Sequence, residues 1–206
     1  MKHIPSVLPE RSDLPLFSEE SSSLEAYPQM REELRERLLQ LSFHAFAQCL
    51  CQLLSGKGYS SVHLLDRTEW RQFTRHGGVD IEAFGKAGVV GSKVLVQIKQ
   101  YHRPVHRRFV DELRGVTLRK MAGHALLMTT STFSEPAKAA ALHESIVPVR
   151  LVSGEELLDW LIQGHIGIWE EQTQEGDTRW QIDDAYFEEL ECLYPSDTKR
   201  RLTRSR

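Results

Sequence analysis

From Met30 to Leu54, apolar residues recur every three or four positions (Leu34, Leu38, Leu41, Ala45) with glutamates and arginines between them, which predicts helix. Ser42 can cap a second helix inside that stretch, with Phe46, Leu50, Leu53 and Leu54 as its core face. The pattern then changes, and short strands are predicted near 60–65, 79–84 and 93–99. Val79-Asp80-Ile81-Glu82-Ala83 alternates apolar and acidic, which sets Asp80 and Glu82 on one face of its strand. Pro104 is expected to open a helix through about residue 121, with Phe109, Leu113 and Val116 inward. Ala125 to Thr129 reads as a strand, Pro136 lies in the first turn of a helix to about residue 143, and Val147 to Val152 is the next strand. Ser153 with Glu156 three residues later is a capping-box pattern, opening a helix with Leu157, Leu158, Leu161 and Ile162. Strands and helices in this order predict an α/β fold with a central mixed sheet and helices on both faces.

At 206 residues, the chain is long enough for one sizeable core plus extensions. Residues 1–41 read as an arm rich in Pro, Ser and Glu followed by a helix, residues 42–164 as the main domain, and residues 165–206 as an acidic extension. That extension carries Trp169, Trp180, Tyr186 and Phe187, packing or interface anchors by their acidic surroundings, and ends in the basic run Lys199-Arg200-Arg201. The net charge of −3 gives no global sign of a nucleic-acid binder, but its distribution is uneven. Lys99 to Lys120 holds seven Lys/Arg against two acids, and Glu155 to Asp197 holds thirteen acids against Arg179 alone. A phosphate backbone is expected over the first segment and away from the second.

No apolar run approaches the length of a membrane span, and the N-terminus lacks an apolar signal core, so a cytoplasmic protein without a membrane partner is expected. Three cysteines without a Cys-x-x-Cys pair indicate neither a disulfide framework nor a zinc site, and Cys49 and Cys51 are expected to fill helix positions. His102 and His106 have the spacing of a helical zinc pair, but Pro104 between them breaks the helix that would align them. Gly85 to Lys93 departs from the phosphate-loop pattern and reads as a hairpin loop.

The chemistry concentrates in Gln97-Ile98-Lys99, where the apolar run Lys93-Val94-Leu95-Val96 ends. Residues two apart share a strand face, so Gln97 and Lys99 project together while Val94, Val96 and Ile98 point into a core. If this strand forms a hairpin with the one carrying Asp80, one carboxylate, one amide oxygen and one ammonium converge. Phosphodiester hydrolysis uses a hard divalent cation held by oxygen ligands. Asp80 and Gln97 would supply such ligands, and the Ile98 carbonyl would complete the set. Lys99 would orient or help deprotonate water and offset charge on the phosphate. Arg103, Arg107, Arg108 and Lys120 are the candidate DNA-phosphate contacts. Thr129, Thr130 and Ser131 are expected to satisfy backbone groups at a strand end.

Gly-Gly-Val-Asp at 77–80 followed by Val-Gln-Ile-Lys at 96–99 resembles the Mrr-like branch of the PD-(D/E)xK restriction endonuclease superfamily, in which glutamine commonly replaces the second acidic residue. The resemblance runs over roughly residues 42 to 163, from Phe46 and Leu53-Leu54 through Gly58-Tyr59, Ala125 to Ser134 and Val149 to Leu157. It implies a restriction-endonuclease-like three-layer α/β/α fold and a DNA endonuclease of restriction or anti-phage defence type, using Mg²⁺ with Mn²⁺ as a substitute. Phe46 is followed by Ala47 where the family usually has a metal-binding glutamate, and His76 stands where an aspartate is common. With one oxygen ligand fewer, weak, millimolar-range metal affinity is expected. The partners implied are DNA and either a second copy, forming a homodimer, or the other subunits of a multi-protein defence complex. The alternative reading is a catalytically weakened nuclease-fold module that binds DNA or serves as a scaffold subunit of such a complex.

Overall fold

The computed structural model describes residues 28–65, 78–85, 91–142, 147–172 and 178–194. The N-terminal arm, His76, Gly77, most of the Gly85–Lys93 loop and the basic tail lie outside them. Five strands form one sheet in the order β1 (Ser60–Leu64), β2 (Ile81–Gly85), β3 (Ser92–Lys99), β4 (His124–Thr129), β5 (Val149–Val152). β1, β2 and β3 are antiparallel neighbours, while β3, β4 and β5 run parallel. This is the mixed sheet that the sequence predicts.

The parallel steps are made through helices, α3 (Arg107–Arg119) between β3 and β4 and α4 (Glu135–Leu142) between β4 and β5. Two crossovers of one hand moving the same way across a sheet put both helices on one face. There, Phe109, Val110, Leu113 and Val116 of α3 and Ala137 and Ala140 of α4 enclose a core with Leu95, Ala125 and Leu127. The opposite face carries α1 (Pro28–Gln40), α2 (Phe43–Gly56) and α5 (Gly154–Gln163), which pack over Ile81, Val94, Val96, Ile98, Leu126 and Met128. The strands carrying the chemistry thus sit between two apolar layers.

Caps set several boundaries. The Ser42 side chain accepts from the Ala45 N–H at 3.2 Å and divides α1 from α2. Ser153 accepts from the Glu156 N–H at the start of α5. The Glu156 carboxylate does not complete the box but takes the Arg150 guanidinium at 2.7 Å. Cys49 and Cys51 are buried in α2, and burial pushes their thiols up to about 11 and about 12.

Three expectations change. α3 starts at Arg107, not at Pro104, because Val105 is held as a bridge to Phe133, its N–H bonded to the Thr132 carbonyl and its carbonyl to the Ser134 N–H. The acidic extension is structured: β6 (Ile168–Gln172) and β7 (Thr178–Ile182) form a hairpin, and α6 (Asp184–Leu193) follows. Ile168, Phe187 and Leu190 enter the same apolar cluster as α1 and α2, and the Ser42 N–H bonds Glu191 at 2.8 Å. Helix α1 is likewise part of that cluster through Met30, Leu34 and Leu38, and Arg31 and Arg35 pair with Glu155 and Asp159 of α5. Leu34 and Leu38 of the predicted helix and Phe187, expected as an anchor, thus lie in the core, whereas the charge counts drew attention away from Ile168 and Leu190.

The third change concerns the strand carrying Asp80. Ile81 and Ala83 lie in the α2-side core, but Val79 lies in the α3-side core, so the predicted alternation breaks between them. Ile81 opposes Val96, and the Asp80 N–H also bonds the Val96 carbonyl at 2.8 Å. Two residues facing one is the offset of a β-bulge, which re-aims a side chain at the end of a ladder.

Candidate active site

The bulge leaves Asp80 just before β2, buried at 4% exposure, with its Oδ2 accepting the Ile98 N–H at 2.6 Å. The side chain therefore supplies the acceptor that the β2 backbone would otherwise give to β3. A strand residue projects its N–H and C=O to the same edge, so the Ile98 carbonyl faces the Asp80 side. The neighbouring Lys99 carbonyl faces β4, where it accepts from the Thr129 hydroxyl at 2.8 Å and the Thr130 N–H at 3.2 Å.

Gln97 is fixed by the glycine turn before Asp80. Its Nε2 donates to the Gly78 carbonyl at 2.9 Å, and Gly78 has φ +47°, the left-handed region that favours glycine. A Cβ at Gly78 would lie 2.8 Å from that same Nε2. The turn closes over the amide, so Gln97 is 1% exposed and not part of an open polar pair as expected. Gly78→Ala should therefore cost about 1–2 kcal/mol of stability from backbone strain alone. It should also lower any cleavage activity by displacing Gln97, a result to be checked by thermal melts and initial rates.

Lys99 is the partly exposed member of the trio. Its Nζ lies 4.4 Å from the Phe109 ring and 6.0 Å from that of Tyr101. Burial lowers its pKa from the ordinary lysine value; the charges of Asp80 and Glu112 pull it back up and that of Arg108 pushes it further down. Asp80, Gln97 and Lys99 are thus gathered at the C-terminal end of β3. Glu82 is not with them: it faces the opposite partner Leu95 and pairs with Lys93 at 2.7 Å, the supporting role of a strand carboxylate.

Sequence reasoning missed Phe109 and Glu112 as neighbours of Lys99, because they reach it through the return of α3 across the sheet. Arg103, Arg107 and Arg108 are exposed near the same end, Arg107 paired with Asp111 at 3.1 Å and Arg108 stacked on Phe109 at 4.6 Å. Lys120 caps the far end of α3, about 20 Å along a helix of this length. Thr129 and Thr130 satisfy backbone groups, Thr130 Oγ1 bonding both the N–H and the carbonyl of Tyr101 at 2.9 Å. Gln100 reaches α1, its Nε2 donating to the Leu38 and Leu41 carbonyls at 2.8 and 2.9 Å.

The Asp80 carboxylate, the Gln97 amide oxygen and the Ile98 carbonyl are hard oxygen donors, the ligand type that hard divalent cations take. Among the described residues, no group of three or more His, Cys, Asp or Glu side chains could hold a metal. Ala47 is fully buried in the apolar cluster of α2 and adds no oxygen.

A mixed five-stranded sheet between two helical layers, with a carboxylate, an amide and a lysine at the end of its central hairpin, defines a restriction-endonuclease-like α/β fold. The chain belongs to the Mrr_cat restriction endonuclease family, which matches residues 38–161. Its structure is similar to that of the DNA modification-dependent restriction endonuclease AspBHI, at TM-score 0.55 and 18% identity, covering 94% of this chain and 45% of that one. It is also similar to the MspJI restriction endonuclease in complex with a 27-mer oligonucleotide, at TM-score 0.55 and 20% identity, covering 93% of this chain and 40% of that one. The chain spans less than half the length of either structure. No curated protein matches it.

Proposed function

We propose that this chain is a metal-dependent DNA endonuclease hydrolysing phosphodiester bonds, of restriction or anti-phage defence type. What supports this most is the Ile98 N–H to Asp80 Oδ2 bond of 2.6 Å, which brings the acid to the strand that carries Gln97 and Lys99. Asp80, Gln97 and the Ile98 carbonyl would hold Mg²⁺, with Mn²⁺ as a substitute. When bound, such an ion supplies Lewis-acid polarisation of the phosphate and a more acidic water.

The protein groups do the positioning. Gly78 and Ile98 hold Gln97 and Asp80 in place through their backbone groups before substrate arrives. Lys99, with its charge disfavoured by burial, is suited to orient a water or take a proton from it, and in its charged form to offset the charge developing on phosphate. Arg103, Arg107 and Arg108 would contact phosphates flanking the scissile one, and Lys120 would join them if the duplex lies along α3. Cutting both strands calls for two such sites, which favours a homodimer or a complex with other subunits.

The test is DNA digestion across a metal titration. Cleavage should need Mg²⁺ or Mn²⁺ in roughly the millimolar range, as expected for a site with few protein ligands, and chelation should stop it. A sub-micromolar requirement would argue against this ligand set. The second reading, a nuclease-fold DNA-binding or scaffold subunit, draws on the buried Ala47 and on the structural bond made by Asp80. Salt-sensitive DNA binding without cutting at any metal concentration would favour it.

A further inference from the structure

An ammonium on a four-carbon stem at a strand end has many rotamers open to it. Lys99 is met from a second element. Phe109, on the first turn of α3, is buried, and its ring lies 4.4 Å from Lys99 Nζ. The same ring carries the Arg108 guanidinium at 4.6 Å and meets Tyr101 edge-on at 6.2 Å. Tyr101 is itself held, because Thr130 Oγ1 bonds both its N–H and its carbonyl. The aromatic surface against Lys99 is therefore braced on two sides.

We propose that Phe109 is a positioning residue for Lys99, its ring face fixing the ammonium at the end of β3 where the substrate phosphate would arrive. The inference rests on the reading of Lys99 given above. A ring face attracts a cation through its quadrupole, which an aliphatic side chain of similar size lacks. A purely packing role would make any large apolar residue equivalent, and this is the point at which the two accounts divide.

The comparison is Phe109→Leu against Phe109→Tyr. Phe109→Leu should lower kcat for DNA cleavage by about tenfold to a hundredfold with KM within about twofold, the effect of a misplaced reacting group. Phe109→Tyr, which keeps the ring, should remain within about threefold of the parent. In proton–carbon spectra of the metal-free protein, the Lys99 ε-methylene, assigned by its loss in Lys99→Arg, should lie upfield of the other lysines. That displacement should vanish in Phe109→Leu and persist in Phe109→Tyr. Unchanged kcat in Phe109→Leu, equal loss in both variants, or an ordinary Lys99 shift in the parent would each overturn the proposal. The spectra need neither metal nor cleavage, so a parent protein that cuts nothing defeats the nuclease reading while the shift still decides this one. If Phe109→Leu does not fold, the parent shift and Phe109→Tyr carry the decision.

Discussion

Lys99→Ala is expected to abolish DNA cleavage, by about a thousandfold or more, while leaving the fold intact. The lysine is partly buried with its charge disfavoured by that burial, so removing it relieves a desolvation cost instead of breaking a needed bond. Its melting temperature should match or slightly exceed that of the parent. Positioned proton transfer contributes about a hundredfold to ten-thousandfold, and loss of charge compensation on the phosphate adds to this. Lys99→Arg should fail nearly as badly, since a planar fork cannot replace a compact ammonium. Undiminished cleavage in Lys99→Ala, measured on folded protein, would remove the mechanism.

Asp80 should separate into two roles under substitution. In Asp80→Ala, the Ile98 N–H, buried at 2% exposure, loses the acceptor it now has at 2.6 Å. An orphaned buried donor costs about 1–3 kcal/mol, which for a chain of this size lowers the melting temperature by about 3 to 10 °C. Cleavage should be lost as well. Asp80→Asn keeps an oxygen that can accept from Ile98 but removes the negative charge that would hold a divalent ion. It should therefore melt close to the parent and still be inactive. If Asp80→Asn cuts DNA at the parental rate, Asp80 is a backbone prop alone and the proposed metal ligand set is wrong.

Much of this architecture can be read from local pattern. The β2–β3 hairpin, the strands β4 and β5, and the starts of α2 and α5 follow from apolar periodicity and from Ser42 and Ser153, because a cap acts within three residues of itself. That Asp80 would come close to Gln97 and Lys99 was legible for the same reason: two residues share a strand, and the third immediately precedes its hairpin partner. What was not legible depends on contacts distant in sequence. The offset at Asp80 follows the left-handed Gly78 and brings the Asp80 N–H to the carbonyl of Val96, the partner of Ile81, neither of which an alternation of apolar and acidic residues reports. The burial of Gln97 comes from that turn folding back. Phe109 reads as a core residue of its helix, which it is, and only the crossover from β3 shows that its outer side meets Lys99. Phe187 was legible as an anchor, but the burial of Ile168 and Leu190 beside it was hidden because an acidic composition describes the wet side of a segment.

The bond between Asp80 and the Ile98 amide bears on how sister sequences should be sorted into working and retired enzymes. A copy that no longer cuts anything would still be under pressure to keep the acid, since its strand pairing suffers without it. The lysine has no comparable architectural duty, and its half-sheltered ammonium is a burden once catalysis is gone. Retention of Lys99 is therefore the more telling mark of a living enzyme, and its disappearance beside an intact Asp80 is the signature to expect in one that has turned to holding DNA.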